Sequence, residues 1–385
     1  MKLLIYEWAS YLQHDIYEIC REKSITYDVF EWKFRDKNLD EEFEKWFYHT
    51  VDNFQYDALF SINFWPMLSK VCQKKGMKYL AWCYDAPLNV EHLEESLGNS
   101  VNYVFFFDRM QFERYRKMGF DTVWHLPLGI NCTRLKNLVV SAEVFKRYQA
   151  EISFVGNLYE SKIQSILAPM EEYTQGYLTA LMSAQSKVYG YYMLDELLTD
   201  KLLEDINQQY LLKQPDTKFR LSKEALNFAM ASEITRRERL ILLNLCGKRF
   251  DTKVYCYEKN DLLQGIQQCG SVDYVSQMPL VFACSKINLN PSLRIIQSGI
   301  PLRAFDIMGA GGFLLSNYQE ELQELYENER EMVIYENMGD AIEKADFYLR
   351  HEDLRTDIAQ RGREKTLKEH SIQDRLKEIL TVAKI

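Results

Sequence analysis

The stretch that most constrains this chain is Ser298–Asn317, SGIPLRAFDIMGAGGFLLSN. Ser298 and Gly299 suit the cap of a helix, and Pro301 suits its first turn. Phe305, Ile307, Met308 and Ala310 make that helix apolar on most sides, which predicts burial. Gly311 and Gly312 stop it. Phe313, Leu314 and Leu315 then read as a short buried parallel strand. A loop, a buried helix and a strand in one short stretch make an α/β unit, whose helix N-terminus faces a ligand.

Two charges interrupt this apolar pattern. Arg303 falls in the first helical turn, where the macrodipole is positive and a cation is disfavoured. An anion bound at that turn reverses the argument. Asp306 lies one turn further on, and a carboxylate there can accept hydrogen bonds from the vicinal hydroxyls of a ribose. A plain Arg303–Asp306 ion pair at i, i+3, worth a few tenths of a kcal/mol, is the rival reading. The residue pattern alone leaves both open.

Upstream, strands are expected at 2–7, 25–29, 58–62, 78–82, 101–107 and 122–124, with helices between them. Short apolar strands alternating with helices predict a parallel sheet covered on both faces. Ligands of such sheets gather at the carboxyl ends of strands. That places three loops near a site: Glu7–Ser10, Tyr84–Pro87 and His125–Asn131. Asp85 and His125 are the candidate general bases there, Asp85 first. A second sheet opens with Ile152–Val155 and continues at 254–257, 286–290, 313–315 and 333–335. Between its first strands, residues 165–246 read as helical. The run Arg236, Arg237, Arg239 reads as a solvated face. Domains are therefore expected at 1–145 and 151–369, the second carrying the insert 165–246.

The length suffices for two cores. A net charge of −9 argues against a general nucleic-acid or anionic-membrane binder. The eight cysteines form no C-x-x-C pair, so neither a zinc knuckle nor a redox motif is expected. No run is long and apolar enough to span a membrane, and the start lacks the pattern of a signal peptide. A reducing cytoplasm is the expected setting.

The pieces W-x-Y-D-x-P (82–87), F-x-F-D-R (105–109), H-L-P-L (125–128) and I-P-L-R-x-F-D-I-M-x-x-G-G-F-L-L (300–315) resemble the CgeB-type, spore-maturation-like glycosyltransferases of bacteria. These belong to the GT-B superfamily. The resemblance implies two Rossmann-like domains with parallel sheets facing across a cleft, and a terminal helix, 370–385, that packs back on the first domain. It implies transfer of a sugar from a nucleotide-sugar donor, UDP-linked by expectation, to an acceptor of unspecified class. Many retaining GT-B enzymes carry two glutamates before A-M-A-x-G. Here Asp306 stands in the second place and Ser298 in the first, so half of that motif is missing.

The same resemblance gives Gly156 and Lys162 to the donor phosphates. Asn157 stands where an arginine is usual, and Arg294 and Arg303 are candidates for the lost charge. Gly299 belongs to the turn expected to hold the diphosphate. Tyr274 borders the nucleobase and could stack on uracil. The sequence has no D-x-D, so no metal and no further cofactor are expected, and arginine, lysine and a helix N-terminus stabilise the leaving diphosphate. The insert could form an acceptor wall or the contact of a homodimer. A nucleotide-sugar epimerase and a non-catalytic GT-B partner protein remain as rival readings.

Overall fold

The computed structural model of the chain describes residues 1–88, 90, 93–216 and 218–385. It divides into two compact units. Unit 1 comprises 1–137, 298–305 and 365–385; unit 2 comprises 138–297 and 306–364. The third cut, between Phe305 and Asp306, falls inside the helix Leu302–Gly309.

Unit 1 holds a six-stranded parallel sheet. Its strands are β1 Lys2–Glu7, β2 Thr26–Glu31, β3 Ala58–Ile62, β4 Lys78–Cys83, β5 Asn102–Phe106 and β6 Val123–His125, in the order β2-β1-β3-β4-β5-β6. Every residue of β3, ALFSI, is buried, as expected of a central strand covered on both faces. One face packs on Phe43, Phe47, Leu68 and Val71 from the helices Glu41–Asn53 and Pro66–Lys75. The terminal helix Ile372–Val382 belongs to this unit, and Lys78 donates to the carbonyl of Ala383 at 2.8 Å.

Unit 2 repeats the architecture with β7 Ala150–Val155, β8 Thr252–Tyr255, β9 Gln267–Gln268, β10 Ser285–Asn290, β11 Leu314–Asn317 and β12 Val333–Tyr335, ordered β12-β11-β10-β7-β8-β9 and again parallel. Buried asparagines pin its middle. Asn288 accepts from Ser153 Oγ at 2.7 Å, and Asn290 donates to Ser316 Oγ at 3.0 Å. Gly311 takes φ +85°, the left-handed conformation that ends the helix Leu302–Gly309 and turns the chain into β11. Between β7 and β8 the described residues form five helices, the last being Lys223–Gly247. They share a core of their own, built on Leu178, Met182, Ile206, Met230 and Ile234.

Candidate functional site

In unit 1 the carboxyl end of β4 carries Asp85. Asn63, at φ +61° just past β3, holds it. Its side-chain oxygen accepts from the amides of Tyr84 (2.9 Å) and Asp85 (3.2 Å), and its amide nitrogen donates to the Asp85 carboxylate at 2.7 Å. Asp85 keeps an open edge to solvent, yet the protein packed round its carboxyl pushes its pKa up; the Asn63 bond and the Lys37 charge pull the other way. Trp8, Trp65 and Tyr84 rim the same strand ends, with ring centroids 5.8 and 6.0 Å from Trp8. A carboxylate held this way can take a proton from a hydroxyl. His125 lies at the end of β6, beside Phe112 at 6.1 Å. β5 runs between β4 and β6, so the two candidate bases stand roughly 10 Å apart at the strand level. A cavity of about 830 Å³ in this unit opens at the opposite, amino ends of β1, β3 and β4, round Lys2, Asp57 and Lys78.

At the start of the turn expected to hold a diphosphate, Ser298 and Gly299 bond a carboxylate of the protein itself. Asp108 caps the helix Arg109–Lys117 through Gln111 N at 3.1 Å. It also accepts from Ser298 N (3.2 Å), Ser298 Oγ (3.2 Å) and Gly299 N (3.3 Å). Gly299 is needed for this approach: a Cβ there would stand 2.8 Å from Asp108 Cα and from the Phe107 ring. Asp108 thus takes the amides of Ser298 and Gly299, and the missing side chain of Gly299 makes room for that packing. Arg303 itself is half-buried.

In unit 2, Gly156 follows β7. Its N–H donates to Tyr255 O at 3.1 Å, so that amide is committed to the sheet and not directed at a phosphate. Asn157 is exposed; its side-chain oxygen accepts from Tyr159 N at 2.5 Å and helps set Tyr159 at φ +56°. Lys162 is exposed just before the helix Ile163–Leu167, and among the described residues nothing bonds its ammonium. Tyr274 and Asp306, distant in sequence, meet: the phenol donates to Asp306 Oδ1 at 3.1 Å, with both side chains buried. Tyr274 therefore orients the acid and does not present an open ring for stacking.

Arg294 also departs from expectation. Its Nε donates to both oxygens of Glu238, at 2.9 and 2.7 Å, and Nη2 donates to the same carboxylate. Further bonds reach the carbonyls of Val188 (3.0 Å) and Ser186 (3.3 Å), and the guanidinium lies 3.6 Å from the centroid of the Tyr189 ring. Burial pushes the Glu238 carboxyl up while the Arg294 fork opposes it. The charge of Arg294 is matched inside the protein, so it is a tie between the β10 loop and the inserted helix, not an open anion contact.

Arg239 was hidden by its neighbours. Arg236 and Arg237 pair with Glu233, at 3.8 and 2.6 Å. Arg239 instead points inward and is buried. Its Nε and Nη2 donate to Pro291 O at 3.1 and 2.6 Å, and its Nη1 donates to Asn157 O. The signal was present in the sequence: Leu242, Leu243 and Cys246 at i+3, i+4 and i+7 place Arg239 on an apolar face. Among the described residues, one group has the ligand types for a metal, His14, Asp15 and Glu18, and Asp15 there is ion-paired to Arg134 at 3.0 Å.

A family model described as "Glycosyl transferase-like" matches residues 227–381, which include Arg239, Tyr274, Arg294 and Asp306. Among curated proteins none matches the sequence. Solved structures resemble the whole chain. A glycosyltransferase from Rickettsia africae has TM-score 0.55 at 10% identity, covering 100% of this chain and 97% of that one. Anabaena HepE in complex with UDP-glucose has TM-score 0.55 at 10% identity, covering 100% of both chains. Sucrose-phosphate synthase from Thermosynechococcus elongatus has TM-score 0.54 at 11% identity, covering 99% and 98%.

The fold is GT-B. The two six-stranded parallel sheets are the α/β architecture that these glycosyltransferases share. At this level of identity the GT-B likeness concerns the fold alone. No helix among the described residues is long and apolar enough to cross a membrane.

Proposed function

We propose that this protein is a glycosyltransferase of the CgeB type, which moves a sugar from a UDP-linked donor to an acceptor hydroxyl without a metal ion. The observation that carries the reading is the buried Tyr274–Asp306 pair inside the segment matched as glycosyl transferase-like. A carboxylate oriented by a phenol is suited to take the hydroxyls of a ribose. Lys162, its ammonium without a partner among the described residues, is the candidate cation for the donor phosphates on the β7 side. The neighbour solved with UDP-glucose supports the choice of nucleotide. The absence of D-x-D from the sequence, and basic side chains in its place, support metal independence.

On the acceptor side, Asp85 is the proposed proton acceptor, its raised pKa and its Asn63 clamp fitting a carboxylate that deprotonates a hydroxyl. The cytoplasm is the proposed compartment. Thermal-shift measurements with UDP, dTDP, GDP and their sugars test the reading: the UDP set is expected to stabilise the protein. No response to any of them points to a non-catalytic protein. Release of UDP without an acceptor product points instead to hydrolysis, and a donor sugar inverted while still on its diphosphate, with no UDP released, points to epimerisation.

A further inference from the structure

The helix Lys223–Gly247 belongs to the insert, for which the sequence suggests no definite purpose. Strands β7 and β10 are parallel neighbours, so the loops leaving their carboxyl ends run side by side. Each loop turns a carbonyl, that of Asn157 or of Pro291, toward one guanidinium, and Arg239 donates to both. The rings of Phe154 and Tyr159, with centroids 5.3 and 5.0 Å away, fix the guanidinium from the side. Two carbonyl dipoles with their negative ends converging would repel any anion brought to these strand ends. A guanidinium placed on them reverses the local field. Arg294 gives its fork to Glu238, and the charge of Arg239 acts on that carboxylate as well, so two guanidiniums face one carboxylate and a positive charge is left over.

We propose that Arg239 is a positioning residue of the nucleotide site: from the inserted helix it ties the β7 and β10 loops together and covers their carbonyl oxygens with positive charge, so that a diphosphate can approach. The proposal rests on the nucleotide-sugar reading. Arg239 is 8% exposed, so it acts through the loops and the field, not through contact with ligand. The insert is then part of the donor machinery.

The full chain carrying Arg239→Met or Arg239→Lys provides the test, by amide hydrogen exchange and by calorimetry with UDP. Arg239→Met is expected to speed exchange in both 156–161 and 291–297 by about tenfold or more, leaving the rest of unit 2 protected. It should also raise the Kd for UDP about tenfold. Arg239→Lys keeps the charge but lacks the fork. It should recover most of the affinity while at least one of the two segments stays fast. Unchanged exchange in either segment overturns the tie. So does loosening spread evenly through the unit, which marks a merely structural residue. Loosened loops with unchanged UDP affinity overturn the electrostatic role. A wild-type chain that binds none of UDP, dTDP and GDP refutes the nucleotide reading instead, and the exchange result still decides whether Arg239 joins the loops.

Discussion

The two sheets have the same number of strands and the same parallel sense, but their carboxyl edges are secured by different chemistry. In unit 1 the loops after β3, β4 and β5 are held by a neutral amide and a single carboxylate, while Arg134 forks onto Asp15 beyond β6: Asn63 clamps Tyr84 and Asp85, and Asp108 gathers the amides of Gln111, Ser298 and Gly299. In unit 2 they are held by guanidinium forks, Arg239 on two carbonyls and Arg294 on Glu238. A loop whose carboxylate has to exchange a proton is better steadied by an amide, which leaves the acid unpaired with a full charge. A loop that has to receive an anion is better steadied by a cation. The difference in fastening thus follows the difference in proposed task.

The forks carry the largest expected effects. Glu238→Ala strands the buried Arg294 charge and should cost about 3–5 kcal/mol in denaturant unfolding. A loss below about 1 kcal/mol would mean that the pair is not the fastening described here. Next comes a pH effect confined to unit 1. His370 is buried against Phe305 at 5.1 Å, its Nδ1 faces Arg375 at 3.0 Å, and burial, with the charges of Arg375 and Lys365, lowers its pKa from 6.5 to about 4. The unfolded chain therefore binds a proton that the folded chain refuses. His370's contribution is complete above pH 6.5 and is lost as pH falls toward about 4, by up to about 3 kcal/mol. His370→Gln should flatten that acid slope; a slope left intact would assign it to other groups.

Asp108→Ala removes a helix cap together with the Ser298 and Gly299 bonds and should cost about 2 kcal/mol, less than Glu238→Ala in the same assay. Equal losses would erase the contrast between the two edges. Smallest in stability is Lys162→Ala, expected to stay within about 0.5 kcal/mol of wild type, because its ammonium has no partner among the described residues. Its effect should appear in UDP affinity alone, and a variant that unfolds early would contradict the open placement of this side chain.

Much of the fold could be read from the sequence, because buried parallel strands such as ALFSI and NYVFF are short, largely apolar runs. β9 could not: Gln267–Gln268 is short and polar, and only its pairing with Lys253 and Val254 makes it a strand. The stretch 298–317 showed Asp306 as an acid out of place. It could not show that Tyr274 would reach it, since that contact is set by tertiary folding. Arg294 and Gly299 were read as contacts of the donor diphosphate, and their partners in the protein, Glu238 and Asp108, come from distant segments whose own patterns are ordinary. Arg239 was masked by two surface arginines beside it, although its helical neighbours placed it on an apolar face.

The account turns on nucleotide binding in unit 2 without a metal. Calorimetric titration of UDP into EDTA-treated wild-type and Asp306→Ala protein tests this most directly. Metal-free wild-type protein is predicted to bind UDP, and the Asp306 variant to bind it at least tenfold more weakly. Binding that appears only on adding a divalent cation, or an affinity indifferent to Asp306, would contradict it.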